Sequence, residues 1–136
     1  MKSKGGRINK WFNFELLFGF LPAHIPQYLV PGYMIDELGF VHLRGAVTHN
    51  GSDGGGNAAS YIARVPPLYR PERSQHDTTV VTVGGTGMGN TASRFYIAGP
   101  GSTHGYMTAN GMGSGSGWIN LSGISWWVGK ERLRQL

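Results

Sequence analysis

Residues 39–45 read Gly-Phe-Val-His-Leu-Arg-Gly, and their pattern is the clearest indication of the fold class. Its aliphatic residues recur at every second position, so Val41 and Leu43 share one face with Gly45, and the pattern continues to Val47. The opposite face carries Phe40, His42 and Arg44. A period of two is typical of a strand with one buried face.

Further short runs of β-branched and aromatic residues lie between turn signals along the chain. They cover residues 61–65, 78–83, 94–98, 106–108 and 119–128. Short strands separated by Gly- and Pro-rich turns, with no alternating helices, predict an all-β domain, either an antiparallel sandwich or a barrel. The densest apolar stretch, residues 11–21, fits a helical or an extended conformation.

The last apolar segment changes its pattern at a glycine. Ile119 and Leu121 alternate with polar residues, but beyond Gly123 the apolar positions shift by one residue. A β-bulge or kink produces such a shift. The new pattern predicts that Trp126 faces the core and that Trp127 faces a rim or a neighbouring chain.

The composition fits one domain that binds no nucleic acid. The chain has 136 residues, of which 40% are hydrophobic and 14% charged, and its 23 glycines hint at support from other chains. Half of the 12 basic residues lie near the two ends. The net charge of +5 is otherwise scattered, without the basic run that is typical of a nucleic-acid-binding patch. The terminal basic residues are Lys2, Lys4, Arg7, Lys130, Arg132 and Arg134.

Neither a disulfide nor membrane insertion is expected. The chain has no cysteine, and no apolar run approaches the length of a transmembrane helix. Its basic start and the apolar residues that follow resemble a signal peptide, but Asn13 and Glu15 interrupt the apolar run. We therefore expect no signal peptide.

The sequence contains no clear motif for catalysis, metal binding or cofactor binding. Asp36 and Glu37 are adjacent, so on a strand they would point to opposite faces. No two histidines have metal-ligand spacing, and His76-Asp77 lacks a serine in a nucleophile elbow. The glycine-rich residues 84–89 lack the Gly-Lys-Ser/Thr ending of a phosphate loop. We expect a protein without enzymatic activity, metal or cofactor.

Polar, glycine-rich loops beside aromatic residues suit the recognition of sugars. The loops cover residues 49–57, 86–93 and 101–116, and loops often carry function. The candidate contacts to a glycan or receptor are His49, Asn50, Asp53, Asn57, His104, Tyr106 and Trp127. Equally, these segments fit plain loops of a structural protein, with the aromatic residues packed in subunit interfaces.

Several motifs in succession resemble the C-terminal head domain of bacteriophage tail fibres, receptor-binding proteins and minor tail proteins. They are Tyr33 followed by Asp36, the stretch at 39–45, Pro-Leu-Tyr-Arg-Pro at 67–71, the strands at 78–83 and 94–97, and Gly-Trp-Ile-Asn-Leu-Ser-Gly-Ile-Ser at 117–125. The resemblance covers roughly residues 11–128. It is carried by the first and last motifs together, since each alone is weak.

This resemblance implies a jelly-roll-like β-sandwich head at 11–128 that forms a homotrimer in the virion. It also implies a structural protein of the phage tail or tail tip that attaches to saccharides on the host surface. The N-terminal arm at 1–10 and the basic tail at 129–136 are then candidates for docking on other virion proteins. Two alternatives remain open: an architectural component, such as a capsid decoration or tail-tip collar, and a polysaccharide-degrading enzyme.

Three residues are expected to act as scaffold. Arg44 lies between apolar positions and needs a carboxylate or carbonyl partner, for which Asp36 and Asp77 are the candidates. Tyr69 pins a corner made rigid by a proline, and Trp126 fills the core.

Overall fold

The computed structural model describes residues 4–17, 19–22, 30–49, 61–82, 90–109 and 118–136. The strands are β1 (Phe12–Asn13), β2 (Phe20–Pro22), β3 (Gly32–Ile35), β4 (Phe40–Arg44), β5 (Ala46–His49), β6 (Ala63–Arg64), β7 (Gln75–Thr82), β8 (Asn90–Ile97), β9 (Tyr106–Ala109), β10 (Trp118–Asn120) and β11 (Ser125–Trp127). Short 3₁₀ helices cover Lys4–Arg7, Pro67–Tyr69 and Lys130–Gln135. None of the helices in these ranges is long and apolar enough to cross a membrane.

The strands form two antiparallel sheets, which confirms the all-β prediction. The four-stranded sheet has the order β1-β3-β4-β11. The seven-stranded sheet has the order β2-β5-β10-β7-β8-β9-β6. Its longest pair is the hairpin of β7 and β8, in which eight residues of each strand are in register.

Two adjacent chain segments pass from one sheet to the other at the same place. The strand predicted around residues 39–47 is divided at Gly45, which has a φ of +89°: β4 belongs to the four-stranded sheet and β5 to the seven-stranded sheet. β10 and β11 are divided in the same way. Between the Asn120–Ala46 and Ser125–His42 pairs, four residues on one strand face three on the other. This extra residue is the bulge predicted at Gly123.

One apolar core joins the two sheets. Its largest fully buried side chains are Phe95, Ile35, Ile62, Ile97, Met107, Ile119, Leu121, Val41, Val47 and Val65. Trp126 is also buried, at 3% exposure, and its indole N–H donates to the carbonyl of Tyr69 at 2.8 Å. The ring of Tyr69 meets Tyr33 edge-on, with centroids 4.9 Å apart. The alternation that buries Trp126 leaves Trp127 exposed, as the sequence predicted.

The carboxylate partners proposed for Arg44 were wrong. Arg44 lies at the end of β4 far from the turn that contains Asp36, and its Nε donates to the carbonyl of Val30 at 3.2 Å. Its guanidinium covers the ring of Trp11 at 4.7 Å from the centroid. Asp77 lies on β7 of the other sheet. A carbonyl and an aromatic face thus satisfy this arginine.

Both terminal segments pack on the sheets. Residues 11–21 were left open between helix and strand, and their described part contains β1, the start of β2 and a bridge from Leu16 to Ala63. Ile8 forms a bridge with Ile35, and Asn9 donates its N–H to the same residue at 2.8 Å. At the other end, Arg132 donates to the carbonyls of the Pro67–Tyr69 turn and of Arg70.

Candidate functional site

Exposed apolar side chains cluster at the open edge of the four-stranded sheet. Trp127 is 58% exposed and pairs across the strands with Phe40, which is 38% exposed. Leu38, in the preceding turn, is 54% exposed, and its carbonyl accepts the indole N–H of Trp127 at 3.0 Å. We call Leu38, Phe40, His42 and Trp127 the Trp127 surface. Because its ring is held by this hydrogen bond, Trp127 presents a fixed apolar face to solvent.

The strand pairing brings these side chains close together. The N–H of Val128 donates to Gly39, and that of Leu43 donates to Ile124, at 2.8 and 2.9 Å. Because antiparallel pairs alternate, the Phe40–Trp127 pair between them is a non-hydrogen-bonded pair, in which side chains approach most closely. The backbone N–H and C=O groups of Trp127 therefore point away from β4. Within the described ranges, no strand pairs with that outer edge of β11.

A carboxylate fixes the turn beside this surface. One oxygen of Asp36, Oδ1, accepts the N–H groups of Leu38 and Phe40 at 2.9 and 3.0 Å. The other, Oδ2, lies 2.7 Å from Nε2 of His42, whose ring is 6.4 Å from that of Phe40. Partial burial would raise the pKa of Asp36, but the hydrogen bonds from His42, Phe40 and Leu38 together hold it below its usual value. Asp36 therefore remains a carboxylate throughout the neutral and mildly acidic range.

This arrangement suits binding of a sugar. A fixed indole face and the Phe40 ring provide apolar contact for the C–H faces of a pyranose. His42 provides a polar group next to them and is about one-third exposed at its side chain, 37%. Recognition sites of small ligands commonly combine aromatic contact with a few convergent polar groups.

A second group of aromatic and basic residues lies at the β6 edge of the seven-stranded sheet. Tyr106 stacks on Tyr61 with centroids 4.4 Å apart, and the guanidinium of Arg64 covers the Tyr106 ring at 4.5 Å. Arg64 also donates from Nε to the carbonyl of His104 at 2.9 Å, and Arg70 lies next to Gly105. We call Tyr61, Arg64, Arg70, His104 and Tyr106 the Arg64 cluster.

The predicted contact residues are divided between these places. His104 and Tyr106 come together in the Arg64 cluster, whereas Trp127 lies on the other sheet. His49 ends β5, and its side chain is outside the described part of the structure. Three further candidates, Asn50, Asp53 and Asn57, lie outside the described residues.

The structure changes the role of two of these candidates. Because Tyr61 and Arg64 pack against it, the Tyr106 ring offers little open face for a sugar. The imidazole Nε2 of His104 lies 2.8 Å from the carbonyl of Pro71, so this histidine holds a turn in place. Of the aromatic residues predicted as contacts, Trp127 keeps an exposed face.

Sequence reasoning missed three contributors to these groups. Phe40 was placed on the outer face, but nothing showed that it would pair with Trp127. Asp36 and His42 meet because the turn between β3 and β4 brings them together. Their separation of six residues in sequence does not indicate this contact. Arg64 was an ordinary polar position in a short strand, and its partners His104 and Tyr106 lie about forty residues away in sequence.

The other residues weighed for chemistry are separated in the structure. His76 and Asp77 are successive exposed residues of β7, and the ring of His76 lies 4.9 Å from that of Tyr96. The side chain of Asp77 accepts the N–H of Thr78 at 2.8 Å. Among the residues that the structure describes, no three His, Asp or Glu side chains are grouped to hold a metal ion.

Comparison of the chain with protein-family models, curated proteins and solved structures gave no match.

Proposed function

We propose that this chain is a non-enzymatic structural protein of a bacteriophage tail or tail tip that attaches the virion to saccharides on the host surface. The motifs at 39–45 and 117–125 support the class through their resemblance to tail head domains. One structural observation carries the attachment role: the fixed and 58% exposed indole of Trp127, with Phe40 beside it. An exposed aromatic patch on a rigid sheet is typical of an interaction site.

The sheet gives such a site its precision. Phe40, His42 and Trp127 project from the paired strands β4 and β11, and Asp36 fixes the turn that leads into β4. A ligand therefore meets side chains that are already in place, and less conformational entropy is lost on binding. This favours attachment through contact over a mechanism that requires loop closure.

A second candidate is an architectural component of the virion, such as a capsid decoration or a tail-tip collar. The observation that favours it is the outer edge of β11, where the backbone groups of Trp127 point away from the sheet. A strand of another virion protein would find hydrogen-bonding groups and an apolar side chain there.

Binding measurements with a Trp127→Ala variant test the attachment role. We expect wild-type protein to bind envelope polysaccharide from a susceptible bacterium, and W127A to bind it roughly tenfold more weakly or worse, the loss expected of a central aromatic contact. Biolayer interferometry on immobilised polysaccharide measures this loss. Trp127→Phe keeps a ring and should retain most of the affinity.

Leu21→Ala is the matched control, since it shortens a partly exposed apolar residue of β2 in the other sheet. It should bind as the wild type does. If wild-type protein binds no envelope preparation from a panel of bacteria, the architectural role is favoured. Equal binding by W127A and the wild type would remove the Trp127 surface from the attachment site.

A further inference from the structure

The Arg64 cluster contains two arginines whose Nε–H groups donate hydrogen bonds to backbone carbonyls. Nε of Arg64 donates to the carbonyl of His104 at 2.9 Å. Nε of Arg70 donates to the carbonyl of Val65 at 2.8 Å. A guanidinium tethered through Nε has a fixed direction, and its terminal nitrogens still offer four N–H donors.

The backbone around these arginines keeps them in position. Val65 donates its N–H to the carbonyl of Gly105 at 3.0 Å, which ties the segment after β6 to the turn before β9. Arg70 packs directly on Gly105, where an added Cβ would lie 2.6 Å from Nε of the arginine. The ring of Tyr106 supports Arg64 from below. Both positive groups are therefore anchored at one end of the seven-stranded sheet.

Within the described ranges, neither arginine has a carboxylate partner. The ion pairs found there are Asp36–His42, Glu72–Arg132 and Glu131–Arg134. Partial burial and the positive charge of Arg64 both lower the pKa of Arg70. Holding two such charges together is unfavourable unless an anion compensates them.

We propose that Arg64 and Arg70 form a binding site for an anionic group, a phosphate or a carboxylate. The planar forks of two guanidiniums match the oxygen atoms of either group, and such charge-assisted hydrogen bonds are roughly twice as strong as those between neutral groups. Tyr106 lies beside the site, with its ring against the guanidinium of Arg64. Resting on the proposed attachment role, this site assigns the ligand to a class: a charged envelope polymer.

Titration of the folded protein with sodium phosphate and with sodium acetate, at constant ionic strength, tests this inference. Nuclear magnetic resonance follows the side-chain Nε–H signals of Arg64 and Arg70. We expect saturable shifts at both signals with at least one of the two anions. Arg64→Gln should weaken binding, read at Arg70, roughly tenfold, because one set of charge-assisted hydrogen bonds is lost.

Arg134→Gln is the matched control, because it removes one positive charge from a side chain that is 79% exposed and paired with Glu131. It should change the affinity less than about twofold, as expected for an exposed charge that solvent and salt screen. Shifts that do not saturate with either anion, or an equal loss of affinity in R64Q and R134Q, would overturn the proposal.

Polymers then separate the sources of the anion. A poly(glycerol phosphate) supplies phosphate groups, and a polygalacturonate supplies carboxylate groups. The polymer whose binding is weakened by R64Q identifies the anionic group that the site recognises. If phosphate or acetate saturates the arginines but no envelope polysaccharide binds, the anion site stands and the attachment role fails. If envelope binding depends on Trp127 while neither anion saturates the arginine signals, the attachment role stands and this site is refuted.

Discussion

Gly39 and Gly123 have nearly the same φ angle in different surroundings. Their φ angles are +89° and +92°, in the region that favours glycine. A Cβ on Gly39 would lie 2.7 and 2.8 Å from backbone atoms of Gly129, whereas one on Gly123 would meet nothing within 4 Å. The pair therefore separates the cost of a left-handed conformation from the cost of a steric clash.

Alanine at these two positions should destabilise the protein by different amounts. We expect Gly123→Ala to lower the free energy of unfolding by about 1–2 kcal/mol, the cost of placing a side chain in a left-handed conformation. Gly39→Ala should cost a further 1–3 kcal/mol or so, because the backbone at Gly129 must move. Urea denaturation measures both values. A Gly39→Ala cost equal to that of Gly123→Ala would contradict the close approach to Gly129.

At single positions, the sequence predicted which side chains are buried better than which residues they contact. The alternation after Gly123 placed Trp126 inside and Trp127 outside, because burial in a strand follows the period of its side chains. The partner of Arg44 was predicted wrongly. Which carbonyl or ring an arginine reaches depends on strands far away in sequence, here on Val30 and Trp11.

At the level of elements, the corner where two segments change sheets is held by a small hydrogen-bond set. The N–H of Gly45 donates to Oγ of Ser122 at 2.9 Å, and the N–H of Ser122 donates to Oδ1 of Asn120 at 3.1 Å. The N–H of Leu121 donates to the carbonyl of Gly45 at 2.8 Å. The extra residue of the bulge is thus accommodated by side chains that replace part of the regular ladder.

Removal of the Ser122 hydroxyl should loosen this corner. Ser122→Ala leaves the buried N–H of Gly45 without its acceptor, and we expect the free energy of unfolding to fall by about 1–2 kcal/mol. Ser125→Ala, at an exposed position three residues later, should change it by less than about 0.5 kcal/mol. Thermal and urea unfolding of the two variants measure the difference. Equal stabilities would show that the corner does not depend on this hydroxyl.

The bulge was visible in the sequence, but the change of sheet was not. A one-residue shift of the apolar pattern at Gly123 reveals an inserted residue directly. At Gly45 the buried face continues from Leu43 to Val47 without a break, so the two strands looked like one. Whether a continuous pattern bends into a second sheet depends on its partners, and β10 and β11 lie more than seventy residues away in sequence.

At the scale of the whole molecule, the all-β class followed from the sequence because short alternating runs and turn residues are local signals. The four-plus-seven arrangement did not, since it depends on long-range pairing. The Arg64 cluster shows the same limit: Tyr61, Arg64 and Tyr106 meet because β6 pairs with β9. The prediction of a trimer rests on the resemblance to tail head domains and on the many glycines.

The predicted trimer would have a definite mass in solution. Three chains of 14.7 kDa give about 44 kDa, which light scattering coupled to size-exclusion chromatography measures directly. We expect this mass at micromolar concentration for the wild type and for W127A, because the attachment role requires the Trp127 surface to remain free. A wild-type mass of a single chain, 14.7 kDa, would refute the trimer. Loss of the trimer in W127A alone would make this surface a subunit interface.

The contact between Gly39 and Gly129 has a structural consequence. Residues 130–136 follow Gly129, whose backbone packs closely against Gly39 in the turn beside Trp127. From this segment, Arg132 donates hydrogen bonds to the carbonyls of Pro67, Leu68 and Arg70. They form a strap between the two groups of candidate recognition residues. The C-terminal segment therefore links the turn beside the Trp127 surface to the segment that carries Arg70, so its removal would leave both without this packing partner.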